Sequence, residues 1–303
     1  MTGTATDIEV TEERTRGWGP GVLAALALAW LAVVLWSAHA TISGTRADAT
    51  VALASAALAL PLVVAASLVA GAAVGIASSD LLGRRYGAVA ERVPVRFAAS
   101  AGGGLAVGLL CAVLVLAGYG TSAAIAVLAA AVGAAATLGG VLGGLRPAAV
   151  VGAALGGTLA WFVVGLFQGA YAGRLMHLFG AGDTLASQVR ATSWLSFVVS
   201  VVGGLVAGLS AYGYLRRRDT GLRWPAYLAA GAGPGLLILL SDLVTRVGGA
   251  RLLAVAGSVG ADDRAAIGYL GTARLNTALV VLFVGALTTV IAFGRTLKPA
   301  GPT

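Results

Sequence analysis

Ionisable and metal-ligating side chains are scarce in this sequence, and each shortage removes a class of function. Charged residues make up 11% of the 303 positions and hydrophobic residues 58%, whereas about a quarter of a soluble domain is charged. Lipid is the solvent this composition suits. The one cysteine, Cys111, lies inside an apolar run, which excludes an intrachain disulfide and any cysteine-built metal site. Two histidines, His39 and His177, stand far apart in the chain, so no structural zinc site and no metal cofactor is expected. Carboxylates, histidines and lysines are nearly missing from the apolar runs, where proton-coupled pumps and intramembrane hydrolases need them. The glycine-rich runs lack the Gly-Lys-Ser/Thr ending of a phosphate-cradling loop. With no convergent acid, base or nucleophile, the chain reads as a non-enzyme without cofactors.

Long apolar stretches dominate what remains. They predict an all-α, polytopic transmembrane bundle of about eight spans, at 20–37, 49–77, 97–117, 122–145, 148–179, 194–215, 225–245 and 275–294. A polar cytoplasmic tail, 1–19, precedes them and a second, 295–303, follows. Ala38-His39-Ala40 has the form of a signal cleavage site, but the run before it is longer than a signal core of about 7–15 residues, so the first span is read as retained. A short surface helix is expected over 81–93, ended by Pro94, and Asp183 is expected to cap the helix leading into the sixth span.

Charge sets the orientation. Leu215 to Trp224 holds Arg216, Arg217, Arg218 and Arg223 between two apolar runs, and such a cluster stays on the cytoplasmic side. Threading the spans from that point places thirteen Lys and Arg inside and seven outside, so both termini are cytoplasmic. The net charge of +8 is thereby explained by orientation, and nucleic acid is not an expected partner. Lysine appears once, at Lys298, against nineteen arginines. That bias suggests a bacterial chain of high coding G+C content, and hence a multi-pass protein of the bacterial cytoplasmic membrane.

Glycine, with 45 occurrences, repeatedly falls at G-x-x-x-G spacing, which lets helix backbones approach closely in lipid. Gly165, Gly169 and Gly173 suggest one continuous smooth face on the fifth span. Two spans also start alike: Arg96-Phe97 leads to Gly102-Gly103-Gly104, and Arg223-Trp224 leads to Gly231-Ala232-Gly233-Pro234-Gly235. This suggests a four-plus-four parallel repeat; a competing alignment matches hairpin five-six to hairpin seven-eight. Helix breaks at matching places in two halves point to a transporter's substrate site.

The candidate substrate site is therefore Gly231, Gly233, Pro234 and Gly235, with Ser241, Asp242, Thr245 and Arg246 further along the same span. Arg174, His177, Arg190, Arg251 and Arg274 form a candidate outer surface for anionic lipid headgroups, because guanidinium suits bidentate phosphate contact. The functional expectation is a permease-like membrane protein handling a small solute or a lipid-linked, anionic substrate. The alternative is a non-catalytic subunit or assembly factor of a cell-envelope complex. Expected partners are the bilayer, anionic headgroups, and a membrane-protein partner or second copy of the chain.

Overall fold

The fold is described from a computed structural model covering residues 19–44, 49–87, 92–119, 123–218, 221–248 and 261–296. Among these residues there are nine helices and no strands. They are α1 (Gly19–Gly44), α2 (Ala49–Tyr86), α3 (Val93–Tyr119), α4 (Ala123–Gly143), α5 (Ala148–Ala170), α6 (Ala172–Leu178), α7 (Leu185–Arg217), α8 (Trp224–Gly248) and α9 (Ala261–Gly294). All but the seven-residue α6 are long and apolar enough to cross a bilayer, giving eight spans. The protein is a multi-pass helical membrane protein.

Prolines mark where helices begin. Pro20, Pro94 and Pro225 each sit in a first turn, where the missing N–H removes no intrahelical bond. Pro94 thus opens α3 rather than closing a surface helix, and Leu81 to Tyr86 belong to the end of α2. The next residue, Gly87, takes a φ of +52°, and residues 88–91 lie outside the described residues. Helix α1 runs unbroken through Ala38-His39-Ala40.

The fifth span is shorter than expected. It ends at Ala170, and after a turn at Tyr171 the chain forms α6. That short helix closes on Gly180, whose φ is +83°. The Gly180 N–H donates to the His177 carbonyl and the Ala181 N–H to Met176, the paired bonds of a glycine-terminated helix end. The sixth span is correspondingly longer, starting at Leu185. Its cap is Thr184, whose side chain accepts from the Ser187 N–H at 3.3 Å; Asp183 lies one residue outside. Between the seventh and eighth spans, residues 249–260 lie outside the described residues, and the helix from Ala261 runs without a break into the eighth span.

The chain divides into two compact units, one through Ala148 with the end of α8 from Val244, the other Ala149–Leu243 with α9. In the first unit, glycines seat α2 and α3 on α4. A Cβ added at Gly104 would stand 2.6 Å from the Ala136 oxygen and from Gly140 Cα, and one at Gly108 would stand 2.6 Å from the Gly133 oxygen. Gly71 opposes the Ala136 carbonyl in the same manner. Ser100 Oγ donates to the Gly140 carbonyl and Ser78 Oγ to Ala99, at 3.1 Å, so the few polar groups also tie helix to helix.

The second unit repeats this internal arrangement. Gly231 opposes Gly285 and Thr289, Gly235 opposes Leu282, and Gly208 opposes Gly285. Gly104 and Gly108 thus match Gly231 and Gly235 at one constant offset, which also aligns Arg96-Phe97 with Arg223-Trp224. Gly133, Ala136 and Gly140 match Leu282, Gly285 and Thr289 at a second constant offset, and Gly71 matches Gly208. This is the packing that a four-plus-four repeat requires, and it does not follow the hairpin five-six to seven-eight alignment.

Candidate functional site

The glycine segments expected to interrupt spans do not do so. Helix α3 is continuous through Gly102 to Gly104, and α8 is continuous through Gly231 to Gly235 with Pro234 inside it. Gly231 and Gly235 press on α9, while Gly233 packs against Ala154 of α5. Pro234 is fully buried, and Gly157 makes room for its ring: a Cβ there would lie 2.8 Å from Pro234 Cγ. These residues are helix-packing surface, and the absent side chains bring backbones together instead of opening a path.

Further along α8, Ser241, Asp242 and Thr245 are buried and Arg246 is exposed. The Ser241 hydroxyl donates back to the Ile238 carbonyl at 2.8 Å, a bond that satisfies a hydroxyl inside an apolar helix. Of the five outer cations, Arg174 and His177 lie on α6, Arg190 is exposed near the start of α7, and Arg274 is half-buried near the start of the eighth span. Arg251 lies outside the described residues. The smooth glycine face is also shorter than expected. Gly165 and Gly169 lie on α5 with open space around them, while Gly173 belongs to α6.

A different set of residues forms a cavity. Within the second unit, α7 and α9 enclose an open-sided cleft of about 320 Å³, a size at the lower end of small-molecule sites. Ser193, Ser196 and Ser200 face it from α7, and Thr272, Asn276 and Thr277 from α9, with Phe197 supplying an aromatic wall. The spacing explains the common face: residues three, four and seven apart lie along one side of a helix. Among the described residues, no charged side chain is part of the lining.

Some of these polar groups are internally satisfied. Ser193 Oγ donates to the Val189 carbonyl at 2.9 Å, and Ser200 Oγ lies 2.7 Å from the Ser196 carbonyl and 3.1 Å from Thr277 Oγ1. The last contact links the two helices at the base of the cleft. Among the described residues, the Ser196 hydroxyl and the Asn276 amide have no hydrogen-bond partner. Trp194 stands beside the cleft, edge-on to Phe197 at 6.4 Å between ring centres. By helical rise, Ser200 is about 26 Å along α7 from Arg217, a distance comparable with the ~30 Å thickness of a hydrocarbon core.

Sequence patterning alone does not reveal this cleft. Serine and threonine are common in apolar helices, where they bond back to the preceding turn, and nothing local pairs α7 with α9. The available signal is the spacing of Ser193, Ser196 and Ser200, together with an amide at Asn276 so near the start of an apolar run.

No known family, curated protein or solved structure matches this chain. What the helices define is the class: an integral membrane protein, with eight apolar spans among the described residues. Among the described residues, no group of three or more His, Cys, Asp or Glu could hold a metal ion.

Proposed function

We propose that this is a permease-like protein of the bacterial cytoplasmic membrane, and that its substrate-recognition element is the hydroxyl-lined cleft between α7 and α9. The reading rests above all on the convergence of Ser193, Ser196, Ser200, Thr272, Asn276 and Thr277 from two helices on one cleft, the Asn276 side chain being exposed to whatever enters it. A bare polar group facing lipid is costly, so groups of this kind belong where they meet water, protein or ligand. Arg174 and His177 lie on α6 just before α7, Arg190 near the start of α7, and Arg274 near the start of the eighth span. They favour a solute that reaches the cleft past anionic headgroups, or one attached to a lipid.

Orientation follows from charge. In the first unit Arg96 donates to the Gly144 carbonyl at 2.7 Å, drawing the start of α3 to the end of α4 beside Arg146. In the second unit Tyr227 stacks on Phe293 at 4.4 Å, bringing Arg223 and Arg295 to one end. These basic ends are assigned to the cytoplasm, and the cleft to the outer half of the membrane.

A full-length protein carrying Cys111→Ala and Ala273→Cys tests the cleft, since Ala273 lines it without supplying a polar group. A membrane-impermeant maleimide added from outside should label this variant, whereas one carrying Cys111→Ala and Ala211→Cys, at a fully buried position, should stay unlabelled. Equal protection of both thiols removes the aqueous cleft. The alternative, a non-catalytic subunit, draws support from the open surface at Gly165 and Gly169 beside exposed Leu166 and Phe167. Stoichiometric co-purification of another membrane protein, lost on Gly169→Leu, would favour it.

A further inference from the structure

The two units offer an internal control on the cleft. Packing by α2 and α4 in the first unit is the counterpart of packing by α7 and α9 in the second, aligned by Gly71 with Gly208 and by Ala136 with Gly285. Carried along the helices, that register sets Ser193, Ser196 and Ser200 against Ala56, Ala59 and Val63. It sets Thr272, Asn276 and Thr277 against Ala123, Val127 and Leu128. All six polar positions of one unit are apolar in the other. The shared architecture therefore forms without them, and although Ser200 and Thr277 tie α7 to α9, the Ser196 hydroxyl and the Asn276 amide make no such tie and call for another reason to be there.

Their chemistry narrows the ligand. A bare ion would leave most of about 320 Å³ empty, and an ionised solute would find no counter-charge among the described lining residues. Serine, threonine and asparagine side chains each both donate and accept. That matches a ligand whose own groups do both, and Phe197 and Val280 offer apolar surface to a carbon-bound face. Resting on the cleft reading above, we infer that the second unit binds a neutral polyhydroxyl group, a sugar ring being the simplest, presented either free or as the headgroup of a glycolipid. The first unit is its non-binding structural twin.

The test uses the full chain with Cys111→Ala and Ala273→Cys in phosphatidylglycerol–phosphatidylethanolamine vesicles, and reads the rate of maleimide labelling. Three additions are compared: free glucose or mannose, a monoglucosyl diacylglycerol mixed into the bilayer, and inorganic phosphate. At five times its Kd a bound ligand should slow labelling about sixfold. Protection by free hexose identifies a soluble sugar, and protection by the glycolipid alone identifies a headgroup. Either supports the inference when Asn276→Ala abolishes it. Rapid labelling that neither sugar slows overturns the inference and leaves the cleft reading standing, as does equal protection by phosphate. Absence of labelling in every vesicle overturns both.

Discussion

Gly102 and Gly104 sit two residues apart on α3, yet a methyl group should have opposite effects at the two positions. At Gly102 a Cβ meets nothing within 4 Å, while at Gly104 it would lie 2.6 Å from the Ala136 oxygen and from Gly140 Cα. Both obstacles are backbone and cannot rotate away. Ordinary contact begins near 3.4 Å, so α4 must retreat by 3.4 − 2.6, roughly 0.8 Å. A gap of that size forfeits a quarter to a half of each neighbouring dispersion contact. Overpacking of this kind costs about 1–3 kcal/mol. Replacing glycine by alanine within a helix returns about 0.5–1 kcal/mol. Gly102→Ala should therefore be neutral or slightly stabilising, and Gly104→Ala should be destabilised by about 1 kcal/mol, the difference between the middles of the two ranges. Cys111 supplies the assay, because it is the only cysteine, lies on α3 and is buried. Its reaction with a thiol reagent in detergent micelles reports opening of the first unit. Labelling of Gly104→Ala should be faster by a factor of about 5–10. Equal labelling of the two variants would refute the reasoning that these glycines exist for backbone contact.

The same logic reaches other positions. Gly157→Ala should lower thermal stability, since its Cβ would meet the Ala207 oxygen and Pro234 Cγ, each at 2.8 Å; adding Pro234→Ala should recover only part of the loss, as the Ala207 carbonyl remains. Thr184→Ala should cost about 1 kcal/mol of helix-end stability and speed amide exchange at Ser187, whereas Asp183→Ala should leave that amide unchanged. Gly180→Ala should fray α6, because a φ of +83° puts a Cβ against the following carbonyl at a cost of about 1–2 kcal/mol; hydrogen exchange at Leu178 and Phe179 measures it.

The spans are legible in the sequence because eight apolar runs need no partner to be recognised. Their boundaries are less so. Leu185 to Ser193, with Gln188 and Arg190, reads in sequence as a polar approach to the span, yet the Thr184 cap starts a helix there that continues to Arg217. Tyr171 ends α5 in a stretch whose composition scarcely changes on either side. The likeness of Gly102–Gly104 to Gly231–Gly235 is visible in the residues alone, but its cause is close packing on α4 and α9 rather than a break in either helix. The cleft is least visible. Ser193 and Asn276 are far apart in the chain, and only the packing of α7 on α9 gives them a common face.

Sidedness is the most direct measure of the whole account. A full-length protein carrying Cys111→Ala and Arg217→Cys holds its single thiol at an exposed position within the arginine cluster. In intact cells an impermeant maleimide should leave that thiol unmodified and react with it only after the membrane is opened. Prompt labelling in sealed cells would place the arginines outside and the cleft inside, contradicting the proposed threading of the eight spans.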